Sequence, residues 1–259
     1  MSIKITAELV KELRDATGVS VMQCKNALEE ADGNMEKALI ILKNKSSSIA
    51  MKKADRVAHD GVIVVASSKD KKLLLVLHSE TDFVAKNENF IALANNLAAM
   101  ALNDGIEKMR AKSLDMINEV VQKVGEKIEL GKVEEITGDV LGSYIHNSKS
   151  AVIVSLLGGT AELAKDIAMH IAAMKPAYIT LSEIKEEDKL KVKEVFEKEV
   201  AESDKPEEIK KKMLDGKISA YFKEQTLMDQ LFIKDPNMTV GKLLNDKGAK
   251  LAHFIRESI

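Results

Sequence analysis

The stretch "HSETDFVAKNENF", His78–Phe90, sets a phenylalanine beside an aspartate among charges, in a chain that is only 3% aromatic. Two readings of these residues compete. As a helix start, Ser79 and Thr81 are capping types, the acids occupy the first turn, where the helix dipole favours them, and Phe83 packs on Val84 or Phe90. As an exposed tip, Asp82 and Phe83 enter a partner. The ring then carries a large apolar surface into a pocket. The carboxylate beside it competes with phosphates and disturbs Mg²⁺ or ordered water nearby.

Other chemistry is scarce. The pattern G-x-x-x-x-G-K-[ST] fails at "DPNMTVGKLL", where Pro236 stands in place of the first glycine. G-x-G-x-x-G, H-E-x-x-H, G-x-S-x-G and C-x-x-C are absent. Five histidines are scattered; His170 lies in the helical run "DIAMHIAAM" and reads as structural, and His146 stands at a strand end beside Tyr144. The single cysteine, Cys24, can form neither an internal disulfide nor a metal cluster and suits a reducing compartment. No catalytic constellation assembles from these residues, so an enzyme is not expected, nor is any cofactor or metal.

The charge balance narrows the partners. The 39 basic side chains nearly cancel 41 acidic ones, leaving a net charge of -2, whereas general nucleic-acid binding needs an excess of Lys and Arg. The opening residues carry no apolar signal region, and no window approaches the ~18 apolar residues of a membrane span. A cytoplasmic protein is expected.

The elements that must position the tip follow from periodicity. Residues 1–55 read as a three-helix module. Thr6 caps a first helix with the stripe Ile5, Leu9, Leu13, Ala16, and Gly18 ends it. Ser20 and Gln23 have capping-box spacing for a second, burying Cys24, Ala27, Leu28 and Ala31. Asn34 caps a third with Met35, Ala38, Leu39 and Leu42 inward. Met22 falls outside, beside Lys25, Asn26 and Glu29. "KNKSSSIAMKKADRVAHD" follows as a linker or helical extension. "GVIVVASSKDKKLLLVL" is a hairpin. After the opening stretch, Phe90, Leu93, Ala94, Leu97, Ala98 and Ala101 share one helical face, and a polar helical region runs to about Leu130.

The pattern then returns. "YIHNSKSAVIVSLLGG" is strand, turn, strand, followed by a helix with Leu163, Ile167, Ile171 and Met174 on one face. Superposing "LAAM" (97–100) on "IAAM" (171–174) aligns two hairpin-plus-helix units, an internal duplication. In that register the first unit spends more residues from Leu77 to Leu93 than the second does from Leu156 to Ile167. The excess is five residues and lies within "SETDFVAKN", an embellishment the fold can do without. Residues 186–226 read as an antiparallel coiled-coil hairpin, with Pro206 opening its second helix. The tail holds one helix and a late strand-like run that can rejoin the second sheet. The fold class is α+β: core subdomains at 56–140 and at 141–185 with 227–259, interrupted by the hairpin.

In this position "TDFVAKN" resembles a signature of bacterial elongation factor Ts, the nucleotide-exchange factors of the GTPase elongation factor Tu. "LVKELRDATGVSVMQCKNALEEADG" resembles the family's other signature, and "GDVLGSYIH", "DIAMHIAAMKP" and the late "FIR" follow in the family's order. The resemblance implies a ubiquitin-associated-like N-terminal module, a two-part α+β core and a protruding coiled-coil. It matches Thr81, Asp82, Phe83 and Val84 to the element that intrudes beside the GTPase's Mg²⁺ site. It matches Leu13, Arg14, Val21 and Met22 to the surface that meets the GTP-binding domain, and His146 to a core contact. The implied partner is elongation factor Tu, with no membrane and no direct nucleic-acid contact. Three departures stand out: Val21 replaces the first of a common methionine pair, "GEKIELGKV" lacks an arginine pair, and many members extend beyond the point matched by "FIRESI". Without the resemblance, the residues also allow an interaction protein in which "TDFVAK" is only a cap. RNA binding through the linker lysines runs against the net charge.

Overall fold

A computed structural model describes residues 5–259. The elements are mixed helix and sheet, an α+β fold, and divide into two compact units. One holds the chain up to Glu135 with Ile145–Ala151 and Glu257–Ile259; the other holds Ile136–Tyr144 and Val152–Arg256.

The first unit opens with α1 (Ala7–Thr17), α2 (Val21–Glu30) and α3 (Met35–Lys52). Each has a side-chain cap: Thr6, Ser20 and Asn34 accept from the N–H groups of Leu9, Gln23 and Lys37. Gly18, at φ 68°, turns the chain after α1 in the left-handed region that suits glycine. Val10, Leu13, Cys24, Leu28, Ala38 and Leu42 form the common core. Two expected positions differ. Val10 is buried where Ala16 was expected, and Leu39 is exposed, because the buried ridge of α3 is the i, i+4 row Ala38, Leu42, Ser46. The basic, serine-rich stretch is helical through Lys52, and Ile49 and Ala50 leave the three-helix core to pack on the next one.

That next core lies between a sheet and two helices. Strands β1 (Asp60–Ser67) and β2 (Lys71–Ser79) pair antiparallel, with Val62 opposite Leu77 and Val64 opposite Leu75. They are followed by α4 (Asp82–Ala85), α5 (Glu88–Asp104) and α6 (Ile106–Val124), and by β3 (Ile128–Thr137), which joins β2. All six residues expected on the α5 face are buried. β3 is a correction to the helical region expected as far as Leu130. Gly125, at φ 76°, ends α6, and the strand begins three residues on.

A similar order recurs. Strands β4 (Val140–His146) and β5 (Ser150–Leu157) precede α7 (Ala161–Met174). A short 3₁₀ turn at Leu181–Glu183 leads to α8 (Glu186–Ala201) and α9 (Glu207–Gln225), which pack on each other. A second 3₁₀ turn precedes β6 (Leu231–Phe232) and β7 (Asp235–Thr239), a small antiparallel pair that sequence patterning did not separate from the tail. Then come α10 (Val240–Asp246) and β8 (Lys250–Ser258), which completes the order β4-β5-β8. Val152, Val154 and Leu156 of β5 face Leu163, Ile167 and Ile171 of α7 across the core. Met174, expected inward, is exposed in the last turn of α7. The entry and exit of the α8–α9 excursion are joined: the N–H groups of Ala177 and Tyr178 donate to the Gln225 carbonyl, and Leu227 and Met228 donate back to Tyr178 and Ile179.

Candidate partner-binding site

β2 delivers the chain to the tip and the core decides which side chains leave it. Thr81 is extended (φ -129°, ψ 159°), and its hydroxyl accepts the Val84 N–H at 3.4 Å, starting the single turn of α4. Successive helical residues lie about 100° apart. Val84 and Ala85 are buried in the first unit's core, so the residue before them is driven outward. Phe83 is 82% exposed, the most exposed of the large hydrophobic side chains among the described residues. Asp82 shares this outer face and pairs with Lys86 at 2.6 Å. Asn87 accepts from the Asn89 N–H and opens α5, so α4 stays a separate turn. Capping and exposure therefore hold together: Thr81 caps as expected, but Phe83 does not pack on Val84 or Phe90.

The root of the tip is polar and paired. Ser79 Oγ donates to the Thr81 carbonyl at 2.9 Å. Glu126, just beyond the end of α6, accepts the Thr81 N–H at 3.1 Å and its hydroxyl at 2.8 Å. Glu80 accepts the Lys127 N–H and the Arg56 guanidinium. Burial pushes the Glu80 carboxyl upward, but the Lys127 N–H and Arg56 outweigh it and hold the group below its usual range. Sequence reasoning missed Glu126, Glu80 and Arg56. Nothing in their local pattern separates them from other surface charges; only the fold brings residues 56, 80 and 126 together.

The other expected residues fall on different elements of the same unit. Leu13 is a correction: at 0% exposure it belongs to the three-helix core, where its side chain cannot reach a partner. Its neighbours can. Arg14 is exposed, and Val21 and Met22 are 54% and 65% exposed at the start of α2. Arg14 and Val21 line a groove of ≈ 370 Å³ with Ile5, Val10 and Lys11. His146 is exposed at the end of β4, before a turn in which Asn147 and Ser148 have φ of 49° and 57°. That turn is braced from β1: Ile63 N–H donates to the Ser148 carbonyl at 2.7 Å, and Lys149 pairs with Asp60 and donates to the Gly61 carbonyl.

His170 is fully buried, as its structural reading requires. Its Nδ1 accepts the Ile233 N–H at 3.3 Å, so Nε2 carries the proton and donates to Gln230 Oε1 at 2.9 Å. Among the described residues no group of three or more His, Cys, Asp or Glu could hold a metal ion, and no helix is long and apolar enough to cross a membrane.

The arrangement is that of an α+β protein with an exposed phenylalanine on a braced turn. Comparison with known proteins gives that description a family. The family model "Elongation factor TS" matches residues 80–259. A protein described as elongation factor Ts from Thioalkalivibrio sulfidiphilus is 42% identical, the match covering 98% of this chain and 92% of that one. One from Hahella chejuensis is 40% identical over the same shares, as is one from Legionella pneumophila. The chain belongs to the elongation factor Ts family, proteins of translation elongation.

Proposed function

We propose that this protein binds elongation factor Tu carrying GDP and speeds GDP release, so that GTP can load, without making or breaking a covalent bond. Thr81, Asp82, Phe83 and Val84 form the exchange element. Phe83 enters the partner and Asp82 follows it toward the Mg²⁺ and phosphate site. Displacing the ion removes the main positive charge that holds the phosphates. Arg14, Val21 and Met22 meet the GTP-binding domain, and His146 makes a second contact. In this reading residues 1–55 are a ubiquitin-associated-like module, 56–140 and 141–185 with 227–259 are duplicated core subdomains, and 186–226 is a coiled-coil hairpin, all acting in the cytoplasm without nucleic acid.

The observation that carries the proposal is the outward ring of Phe83 on a turn whose next two residues are buried. Energetics require the wider surface as well. A thousandfold faster release needs about 4 kcal/mol expressed in the open state. One phenyl ring in a pocket supplies about 2–3 kcal/mol. Linkage adds that if this protein weakens GDP, GDP weakens this protein by the same factor. The test is stopped-flow release of fluorescent GDP from purified elongation factor Tu. Phe83→Ala is expected to slow release by about 10- to 100-fold while leaving a measurable complex. Unchanged release with Phe83→Ala would remove the wedge from the mechanism.

A further inference from the structure

Residues 80–81 and 126–127 are tied in both directions. Glu126 takes the Thr81 N–H on one carboxylate oxygen and the Thr81 hydroxyl on the other. Glu80, one residue earlier, takes the Lys127 N–H. Because the Thr81 hydroxyl gives its proton to Glu126, its oxygen is turned to accept the Val84 N–H, the bond that starts α4. Glu126 itself is held by the left-handed Gly125 that closes α6, whose carbonyl receives the Lys53 ammonium. A four-residue helix is too short to persist alone, so its geometry must be imposed from outside.

We propose that Glu126 is a positioning residue for exchange. Its carboxylate fixes Thr81 so that Phe83 is presented outward before the partner arrives. The proposal rests on the exchange reading above and deepens it. Hydrogen bonds to an ionised carboxylate are the stronger kind, and a tip ordered in advance incurs no ordering cost on binding. Loss of Glu126 should therefore slow GDP release within the complex more than it weakens the complex, since the α1–α2 face is untouched.

The chain has no tryptophan, so Phe83→Trp places a lone reporter on the tip. In that full-length protein, adding Glu126→Ala should raise the nanosecond mobility seen by anisotropy decay about twofold. Glu126→Gln should leave it near the parent, because an amide oxygen still accepts the Thr81 N–H and its NH₂ can donate to the hydroxyl oxygen. In the Phe83 background, Glu126→Ala should lower the saturating rate of fluorescent GDP release about tenfold and shift the half-saturating concentration less than about threefold. Glu126→Gln should recover most of that rate. A normal saturating rate with Glu126→Ala, beside a defective Phe83→Ala, would overturn this proposal alone. Equal losses in rate and affinity with Glu126→Gln as poor as Glu126→Ala would reduce Glu126 to a structural role and overturn it too. Unaltered release with Phe83→Ala itself would instead remove the Phe83 wedge on which it rests.

Discussion

Phe83 and Val84 are consecutive apolar residues with opposite environments, one in solvent and the other in the core. In the sequence the residue types favour a plain helix cap, and the projecting tip is the alternative that the family resemblance brings forward. Their separation is decided by which face of one turn the core accepts. Leu13 shows the converse. By position it matches a family surface, yet its helical stripe points inward, and it is buried in the three-helix core. His170 is a residue whose burial has a pH signature. Burial pushes its pKa below the ordinary 6.5, with the Gln230 bond acting the other way. Protonating Nδ1 would set a donor against the Ile233 N–H. Between the lowered folded value and 6.5 the unfolded chain binds more protons, so stability is constant above about pH 6.5 and falls as pH drops through that interval. Urea midpoints at pH 7.5 and pH 5.5 should show this fall, and His170→Asn should flatten it.

Elements with strong period are legible in the sequence. The apolar face of α5, the hairpin of β1 and β2, and the break between α8 and α9 all follow from spacing and punctuation. β3 is not, because "IELGKVEEIT" mixes charges with apolar residues at no clean interval and alternates only weakly between buried and exposed. β6 and β7 are too short to carry a pattern. The approach of β4 to α7 is equally invisible, and it depends on a single hydrogen. A Cβ added at Gly142 would lie 2.2 Å from backbone atoms of Ala164 and Lys165. Gly142→Ala must push strand and helix apart, and should cost about 1–3 kcal/mol, read as a lower urea midpoint with an unchanged slope.

Over the whole chain the two arrangements share one order: a hairpin, a helix packed across it, and a later strand completing the sheet beside the hairpin's second strand. We propose that this reflects the duplication inferred from sequence. In the first case α6 alone stands between the packed helix and the closing strand. In the second, α8, α9, β6, β7 and α10 intervene before β8. The hydrogen bonds that join 177–179 to 225–228 carry a consequence for that long detour. Because the chain leaves and returns at one seam, everything beyond the seam is an appendix to the sheet's connectivity. A protein in which a short Gly-Ser turn replaces 180–224 should keep slow amide exchange in β4, β5 and β8. Natural drift has the same freedom: the appendix can lengthen, shorten or acquire a new surface while the strands on either side keep their neighbours.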